Sequence, residues 1–483
     1  MSINWSDNRN LTMLTDFYEF TMANGFYING VKDKIAYFDM FFRRVPDGGG
    51  YAIVAGLEQL IEYLKTLKFT EEDIVYFRSK KMFSEEFLNY LRNFEFTCDV
   101  WAVPEGTPVF PDEPILIVKG PIIQAQLIET MVLLTINHQS LIATKANRIV
   151  RASAGRPVME FGSRRAHSYD SAIYGTRATY IGGCVGTACT IADRDMNIPA
   201  TGTMAHSWIQ FFPTELDAFR AYAQVYPDNC VFLVDTYNVL KSGVPNAIRI
   251  FNEEVVPKGC RPKGIRIDSG DLTYLSIQAR KMLDEAGFPD CKIIASNSLD
   301  EFVIRELLSQ GAKIDIFGVG ERLITSKSEP VFGGVYKLAG IEENGVIVPK
   351  LKVSENVEKI TNPSHKQVFR LFDKTSGKAI ADVITLHSEE IDDTKPYEIF
   401  DPVHTWKRKN VSNFTAKKIL TKVFEAGKCI YNSPDINTIR DYCKMQVDTM
   451  WDDVLRFENP RQYYVDLSVE LWNIKHELLS RYS

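Results

Sequence analysis

Ile265-Arg266-Ile267-Asp268-Ser269-Gly270-Asp271 is a short apolar run that ends abruptly in charge. A helical segment follows from Asp271 to Ala286, and Gly287 stops it. Aspartate suits a helix N-terminus and glycine a helix C-terminus, so the pattern is strand, polar turn, helix. The same pattern recurs on both sides. Upstream, the run 158–161 precedes Arg164 and Arg165, and the run 231–234 precedes Asp235. Downstream, the run 293–295 precedes Ser296-Asn297, and the run 314–317 precedes Gly318-Val319-Gly320. Ser298-Leu299-Asp300-Glu301 reads as a capping box headed by Ser298, with its helix closing at Gly311. Strand–helix units at a spacing of roughly 20 to 35 residues call for right-handed crossovers and a parallel sheet. Strands that repeatedly end in polar groups predict an α/β barrel whose active site lies on that face.

Within these units lies Gly202-Thr203-Met204-Ala205-His206-Ser207-Trp208, which sets one histidine beside a threonine and a serine. A histidine among arginines and carboxylates can serve as acid, base or nucleophile. A solitary histidine is ordinarily a satisfied core or surface residue, but the surrounding charged strand ends favour chemistry at His206.

A chain of 483 residues calls for more than one domain. With 45% hydrophobic and 24% charged residues it has the composition of a globular enzyme. A net charge of −6 speaks against a broad nucleic-acid surface, although a few arginines in a cleft can still attract an anionic substrate. The eight cysteines are scattered, and Cys184 and Cys189 have no histidine at metal-site spacing. That is the usage of reduced cytoplasmic thiols. The opening Met1-Ser2-Ile3-Asn4-Trp5-Ser6-Asp7 lacks a basic region followed by an apolar one, and no apolar run is long enough to span a bilayer. The expectation is a cytoplasmic protein with no membrane and no nucleic-acid partner.

Leu57, Leu60, Ile61 and Leu64 share one helical face, and Ser84 is placed to cap a helix over 85–93. Prolines and glycines punctuate 101–120 into short strands, and 124–149 reads as a helix pair. Beyond Leu338 the alternation fades into strands at 346–353, 367–372 and 378–386 and helices at 437–450 and 467–479. The expected division is residues 1–136, 137–344 and 345–483.

Five motifs carry a resemblance. Thr15-Asp16-Phe17-Tyr18, Phe161-Gly162-Ser163-Arg164-Arg165, Gly202 to Trp208, Arg266 to Asp271, and Gly334-Val335-Tyr336-Lys337-Leu338 occur in this order. Together they resemble the nicotinate phosphoribosyltransferase family, most strongly over 12–338. The resemblance implies an irregular TIM-like α/β barrel at 137–344 and an N-terminal α/β sandwich domain at 1–136. It also implies a C-terminal extension, part of which (345–400) returns to complete the sandwich. The implied reaction joins nicotinate to 5-phosphoribosyl 1-diphosphate, giving nicotinate mononucleotide and diphosphate, in NAD salvage. Because the sugar develops oxocarbenium character, such a site needs positioning and electrostatics more than a nucleophile.

The resemblance also assigns roles. Phe161 and Tyr18 would face the pyridine ring. Tyr18 would reach the site of a neighbouring subunit, which implies a homodimer with shared active sites. Arg164, Arg165 and Arg266 suit carboxylate or phosphate, because a guanidinium makes paired hydrogen bonds. Which of Arg164 and Arg165 meets substrate stays open. Gly318 and Gly320 would let backbone amides approach a phosphate. Many relatives have threonine after this pair, whereas this chain has Glu321, with Thr325 and Ser326 nearby. Thr203 and Ser207 flank His206 as binding residues. Asp235, Ser269, Gly270 and Asp271 line the same mouth, with Asp268 and Arg266 beside His206 as the catalytic set. Asp268 and Asp271 could equally cap the following helix. Carboxylates there suit Mg2+ shared with substrate phosphates, with the metal ligands unassigned. The family couples transfer to ATP through a phosphohistidine, which falls on His206, with His167 the second candidate.

Nicotinamide-using relatives carry an aspartate after a Gly-Thr pair, whereas here Gly186-Thr187 is followed by Ala188. A carboxylate there would repel nicotinate, so Ala188 favours nicotinate over the amide. The alternatives are a nicotinamide phosphoribosyltransferase, a quinolinate-type enzyme, which would be shorter, and a catalytically inactive ligand-binding barrel.

Overall fold

The computed structural model describes residues 9–356 and 359–481, so the opening segment read above for a leader lies outside the described residues. The chain forms two compact units, residues 145–330 and residues 1–144 with 331–483.

Unit 145–330 is built on six strands: β1 (Val158–Glu160), β2 (Gly186–Thr187), β3 (Val231–Leu233), β4 (Gly264–Ile267), β5 (Lys292–Ser296) and β6 (Ile316–Val319). Every pairing is parallel. The order across the sheet is β2-β1-β6-β5-β4-β3. Read as a ring, this is the sequence order of a barrel, with the last strand returning to pair with the first. Among the described residues it is open at one seam, between β2 and β3. Ala200 bridges in parallel to Thr187 on the β2 side of that seam, and the segment carrying His206 follows it. An irregular, TIM-like α/β barrel is therefore the architecture, and all its strand ends converge on one face.

The apolar runs form strands because their side chains are covered. Ile265 and Ile267 are buried while Arg266 between them is only partly so, the two-residue alternation of a strand. Phe232 of β3 stacks between Phe219 and Phe251, with ring centroids 4.4 and 5.1 Å away. Leu272–Glu285 is helical, with Asp271 as its cap and Gly287 at positive φ beyond its end. The helix after β5 differs from the sequence expectation. It runs Glu301–Ser309, and its cap is Asp300, whose carboxylate accepts from the amides of Phe302 and Val303. Ser298 stands outside it in a left-handed conformation, and a hydroxyl there is too early to meet the orphan amides. The last strand is also shifted, so that Gly318 and Val319 lie inside β6 and not after it.

The other unit holds a seven-stranded sheet. Strands Ile35–Phe41, Asp99–Ala102 and Leu116–Pro121 pair antiparallel with one another and with Val335–Glu343 and Thr421–Glu425. The strands that join it from the far end of the chain are thus at 335–349 and 421–429. Lys366–Asp373 and Ala379–Leu386 belong instead to a separate four-stranded sheet. Tyr336 is buried, stacks on Phe38 at 4.9 Å and donates to the Ala125 carbonyl, so the motif around it is a packing element of this sheet. Ser84 caps Glu85–Arg92 as expected. No helix among the described residues is long and apolar enough to cross a membrane.

Candidate active site

His206 opens the helix His206–Phe211 at the seam of the sheet. Its Nδ1 lies 3.1 Å from the Thr236 hydroxyl beyond β3, and its Nε2 lies 3.8 Å from Oδ2 of Asp268 beyond β4. Both side chains are partly open to solvent. The hydroxyl of Ser296, at the end of β5, donates to Oδ1 of Asp268. Asp235 Oδ2 accepts from the Asp268 amide at 3.2 Å and from the Ser269 hydroxyl at 2.6 Å. Its Oδ1 is buried without a partner. The ends of β3, β4 and β5 thus converge on two carboxylates and one imidazole.

Arg266 projects from β4 toward the same mouth and donates through Nη1 to the Thr203 hydroxyl at 3.1 Å. Its Nε is buried without a partner. Burial pulls its guanidinium below the ordinary value, Asp268 and Asp235 oppose this, and Arg164 adds like-charge pressure. An arginine stays charged throughout, so the arrangement holds a cation partly stripped of water, with donors to spare.

On the far side of the sheet, β1 runs into Phe161 and the turn Ser163–Arg165. A Cβ on Gly318 would stand 2.4 Å from the Phe161 ring, so that glycine is what admits the ring against β6. A Cβ on Gly162 would meet the Gly320 carbonyl at 2.7 Å. The turn after β1 therefore packs directly on Gly320. The exposed arginines diverge from this turn. Arg164 is near enough to act on Arg266. Arg165 helps hold the Glu321 carboxyl below its usual range, an effect led by the Lys327 ammonium, which donates to Glu321 at 2.7 Å.

Beneath Phe161, the carboxylate of Glu160 is fully buried. It accepts from the Gly162 amide, from the Thr187 hydroxyl at 2.6 Å and from the Thr176 hydroxyl at 3.2 Å. Burial raises its pKa and these bonds oppose the rise. The Ala188 amide donates to the Glu160 carbonyl at 2.9 Å, which sets exposed Ala188 beside the residue preceding Phe161.

The structure brings together Phe161, Arg164, Arg165, Thr203, His206, Asp235, Arg266, Asp268, Ser269, Gly270, Gly318 and Gly320 on one face of unit 145–330. Ser207 is exposed one residue after His206, and His167 is exposed beyond the double arginine. Asp271 accepts from the Tyr274 amide at 3.0 Å and is the helix cap. Tyr18 belongs to the other unit, in the first turn of Phe17–Ile28, and is exposed. Glu160 and Thr236 are additions that the sequence did not announce, whereas Ser296 stands at the strand end that the sequence marked as polar. The only signal for Glu160 was a carboxylate inside an apolar run.

Among the described residues, no group of three or more His, Cys, Asp or Glu side chains is placed to hold a metal ion. Asp235 and Asp268 offer two carboxylates, and Asp235 keeps an unpartnered oxygen. That donor set suits a hard cation that takes its other ligands from substrate phosphates and water.

Three family models match the chain in order. They are the nicotinate phosphoribosyltransferase N-terminal domain over residues 13–137, the nicotinate phosphoribosyltransferase family over 157–384 and the nicotinate phosphoribosyltransferase C-terminal domain over 365–475. The chain is 45% identical over 477 residues to a nicotinate phosphoribosyltransferase of Bacillus subtilis, covering 98% of this chain and 96% of that protein. It is 35% identical over 524 residues to a nicotinate phosphoribosyltransferase of Dictyostelium discoideum, covering 96% and 88%. The fold matches the crystal structure of human nicotinic acid phosphoribosyltransferase with a TM-score of 0.83 at 26% identity, covering 96% of this chain and all of that one.

Proposed function

The chain belongs to the nicotinate phosphoribosyltransferase family and acts in NAD salvage on nicotinate and 5-phosphoribosyl 1-diphosphate, and from this premise we propose how its residues divide the work. The observation that carries the reading is His206 facing Asp268 at 3.8 Å while Arg266, Thr203 and Asp235 ring the same mouth.

The pyridine nitrogen attacks the anomeric carbon and the bond to diphosphate breaks. Phe161 offers its ring to the pyridine, held in place by the Gly318 surface. Arg164 and Arg165 diverge, Arg164 toward Arg266 and Arg165 toward Glu321, and between them they meet the nicotinate carboxylate and a phosphate. Arg266 and the backbone at Gly318 and Gly320 receive phosphate oxygens, and Ser269 and Gly270 line the path. Asp268 stabilises positive charge as it grows on the sugar. Mg2+ would be held by Asp235 and Asp268 and would neutralise the departing diphosphate. Ala188 leaves the ring substituent free of a negative neighbour, which favours nicotinate over nicotinamide.

Coupling to ATP runs through His206. With Nδ1 on the Thr236 hydroxyl, Nε2 is the nitrogen open to the γ-phosphoryl group. The P–O bond to ADP breaks as the N–P bond forms, and water later removes the phosphoryl group as phosphate. Thr203 and Ser207 flank this nitrogen's path. Tyr18 completes the pyridine slot from a neighbouring subunit, which makes the working form a homodimer. The reduced cysteines point to the cytoplasm.

The test is one assay with nicotinate, nicotinamide or quinolinate, each with and without ATP. Nicotinate with ATP should be fastest. Equal rates with nicotinamide would overturn the role of Ala188. A nicotinate rate and yield indifferent to ATP would overturn coupling.

A further inference from the structure

Glu160 is the last residue of β1, and its side chain is fully buried. It cannot touch a substrate, and the reaction as assigned above gives it no task. A buried carboxylate is costly, and an apolar side chain in its place would ask nothing of its neighbours. What the carboxylate does is visible in its hydrogen bonds.

Side chains alternate along a strand, so Glu160 and Phe161 leave β1 on opposite sides. Phe161 is held firmly on the side of β6. Its amide donates to the Val319 carbonyl at 2.8 Å, and its ring lies where a Cβ of Gly318 would need to be. On the side of β2 the ladder ends with the Ala188 amide on the Glu160 carbonyl at 2.9 Å. Beyond that bond the Glu160 side chain takes over. One oxygen accepts from the Gly162 amide, which fixes the turn that carries Phe161. The other accepts at 2.6 Å from the hydroxyl of Thr187, immediately before Ala188. The same oxygen accepts at 3.2 Å from Thr176, on the helix Tyr169–Ile181 that follows the double arginine. The Thr187 oxygen is itself engaged by the Cys189 amide at 2.9 Å, which leaves its proton for Glu160. Both carboxylate oxygens thus face donors. An amide in this place would set its NH2 against either the Gly162 amide or the Thr187 hydroxyl.

We propose that Glu160 is a positioning residue for the pyridine slot, on the reading given above that Phe161 and Ala188 wall that slot. By joining the Gly162 amide to the Thr187 hydroxyl, it sets the separation between the Phe161 ring and Ala188, and so how tightly nicotinate is held. Groups that meet a substrate keep their geometry only when the residues behind them are locked, and this link locks two strand ends at once. Arg266, on β4, stands outside it. Loosening the link therefore weakens nicotinate and spares 5-phosphoribosyl 1-diphosphate.

The experiment compares wild type with Thr187→Val, Thr187→Ser, Glu160→Gln and Phe161→Ala. It reads KM for nicotinate, KM for 5-phosphoribosyl 1-diphosphate, kcat and Tm. Thr187→Val keeps the side-chain shape and removes the hydroxyl. It should raise KM for nicotinate about tenfold, with kcat and the other KM near wild type. Thr187→Ser restores the hydroxyl and should restore the constant, and Glu160→Gln should move it in the same direction as Thr187→Val. If Glu160→Gln does not fold, the two Thr187 variants decide. An unchanged KM for nicotinate in folded Thr187→Val overturns the proposal. So does an equal rise in both KM values, since the cluster would then be a general brace. Phe161→Ala separates the two layers of the reading. If it raises KM for nicotinate while Thr187→Val does not, the positioning role falls and the slot stands. If it leaves KM for nicotinate unchanged, the slot itself falls and the role of Glu160 with it.

Discussion

Nε2 of His206 stands 3.8 Å from Oδ2 of Asp268, close enough for charge to be felt and too far for a hydrogen bond. The gap leaves the nitrogen accessible while Asp268 is already engaged by Ser296. His206→Ala should therefore abolish ATP coupling but leave a slow ATP-independent transfer. Incubation with γ-labelled ATP should place acid-labile phosphate on wild type and none on the variant. Equal labelling of both would remove His206 from the phosphoryl path.

Arg266→Lys should be poorly tolerated although the charge is kept. The guanidinium spends one donor on Thr203 and keeps others for substrate, and a lysine cannot reproduce that fork. The expected loss in kcat/KM corresponds to about 1.5–3 kcal/mol, the usual worth of a hydrogen bond to a charged group. Raised salt should not rescue it. Kinetics close to wild type would mean that Arg266 contributes only background field.

The positions of these groups were legible in sequence to the extent that they follow from local chemistry. A run such as 265–267 ending in Asp268 announces a strand end, and Asp271 announces the helix start that it caps. What stayed hidden depends on contacts across the fold. Gly318 reads as a glycine for phosphate approach, and only the fold shows that the Phe161 ring also occupies the space its Cβ would need. Ser298 and Asp300 are both good caps, and only the path of the chain out of β5 decides for Asp300. Glu160 reads as a flaw in an apolar run. It is tolerated because Gly162, Thr176 and Thr187, from three separate segments, all donate to it.

Ala188→Asp should depress nicotinate use far more than nicotinamide use. Ala188 is exposed and its amide donates to the Glu160 carbonyl next to the Phe161 turn, so a new carboxylate there would repel the carboxylate of nicotinate. The measurement is the ratio of kcat/KM for the two substrates, which should shift toward the amide by at least about tenfold. An unchanged ratio would show that position 188 faces away from the ring.

Glu19, in the helix that carries Tyr18, is buried, with its carboxylate beside Gln126, Tyr18 and Glu129. Burial, opposed by hydrogen bonds from Gln126 and Tyr18 and reinforced by the charges of Glu129 and Asp16, raises its pKa from 4.5 to about 7. The folded state therefore binds this proton more tightly than the unfolded chain. Stability contributed by the protonated form is full below pH 4.5 and is lost as pH rises through about 7. Glu19→Gln keeps the neutral shape at every pH. It should raise Tm at pH 8, by a stability on the order of 2 kcal/mol, and change it little at pH 5. Thermal melts at the two pH values decide this, and an equal shift at both would mean that Glu19 does not titrate in this range.

Tyr18 shares its helix with Phe17, Met22 and Ile28, and all four are substantially exposed. Large exposed apolar side chains on one element suit a surface for a partner, as the proposed homodimer requires. If that partner is a second copy whose slot Tyr18 completes, Tyr18→Ala and Arg165→Ala should each be nearly inactive alone. Mixed under conditions that allow subunit exchange, they form heterodimers in which one site has both residues intact and the other has neither. Random pairing at equal amounts makes half the dimers mixed, each with one good site of two, so about a quarter of wild-type activity should return. No recovery despite demonstrated exchange would place Tyr18 and Arg165 in the same subunit's site, or take Tyr18 out of catalysis.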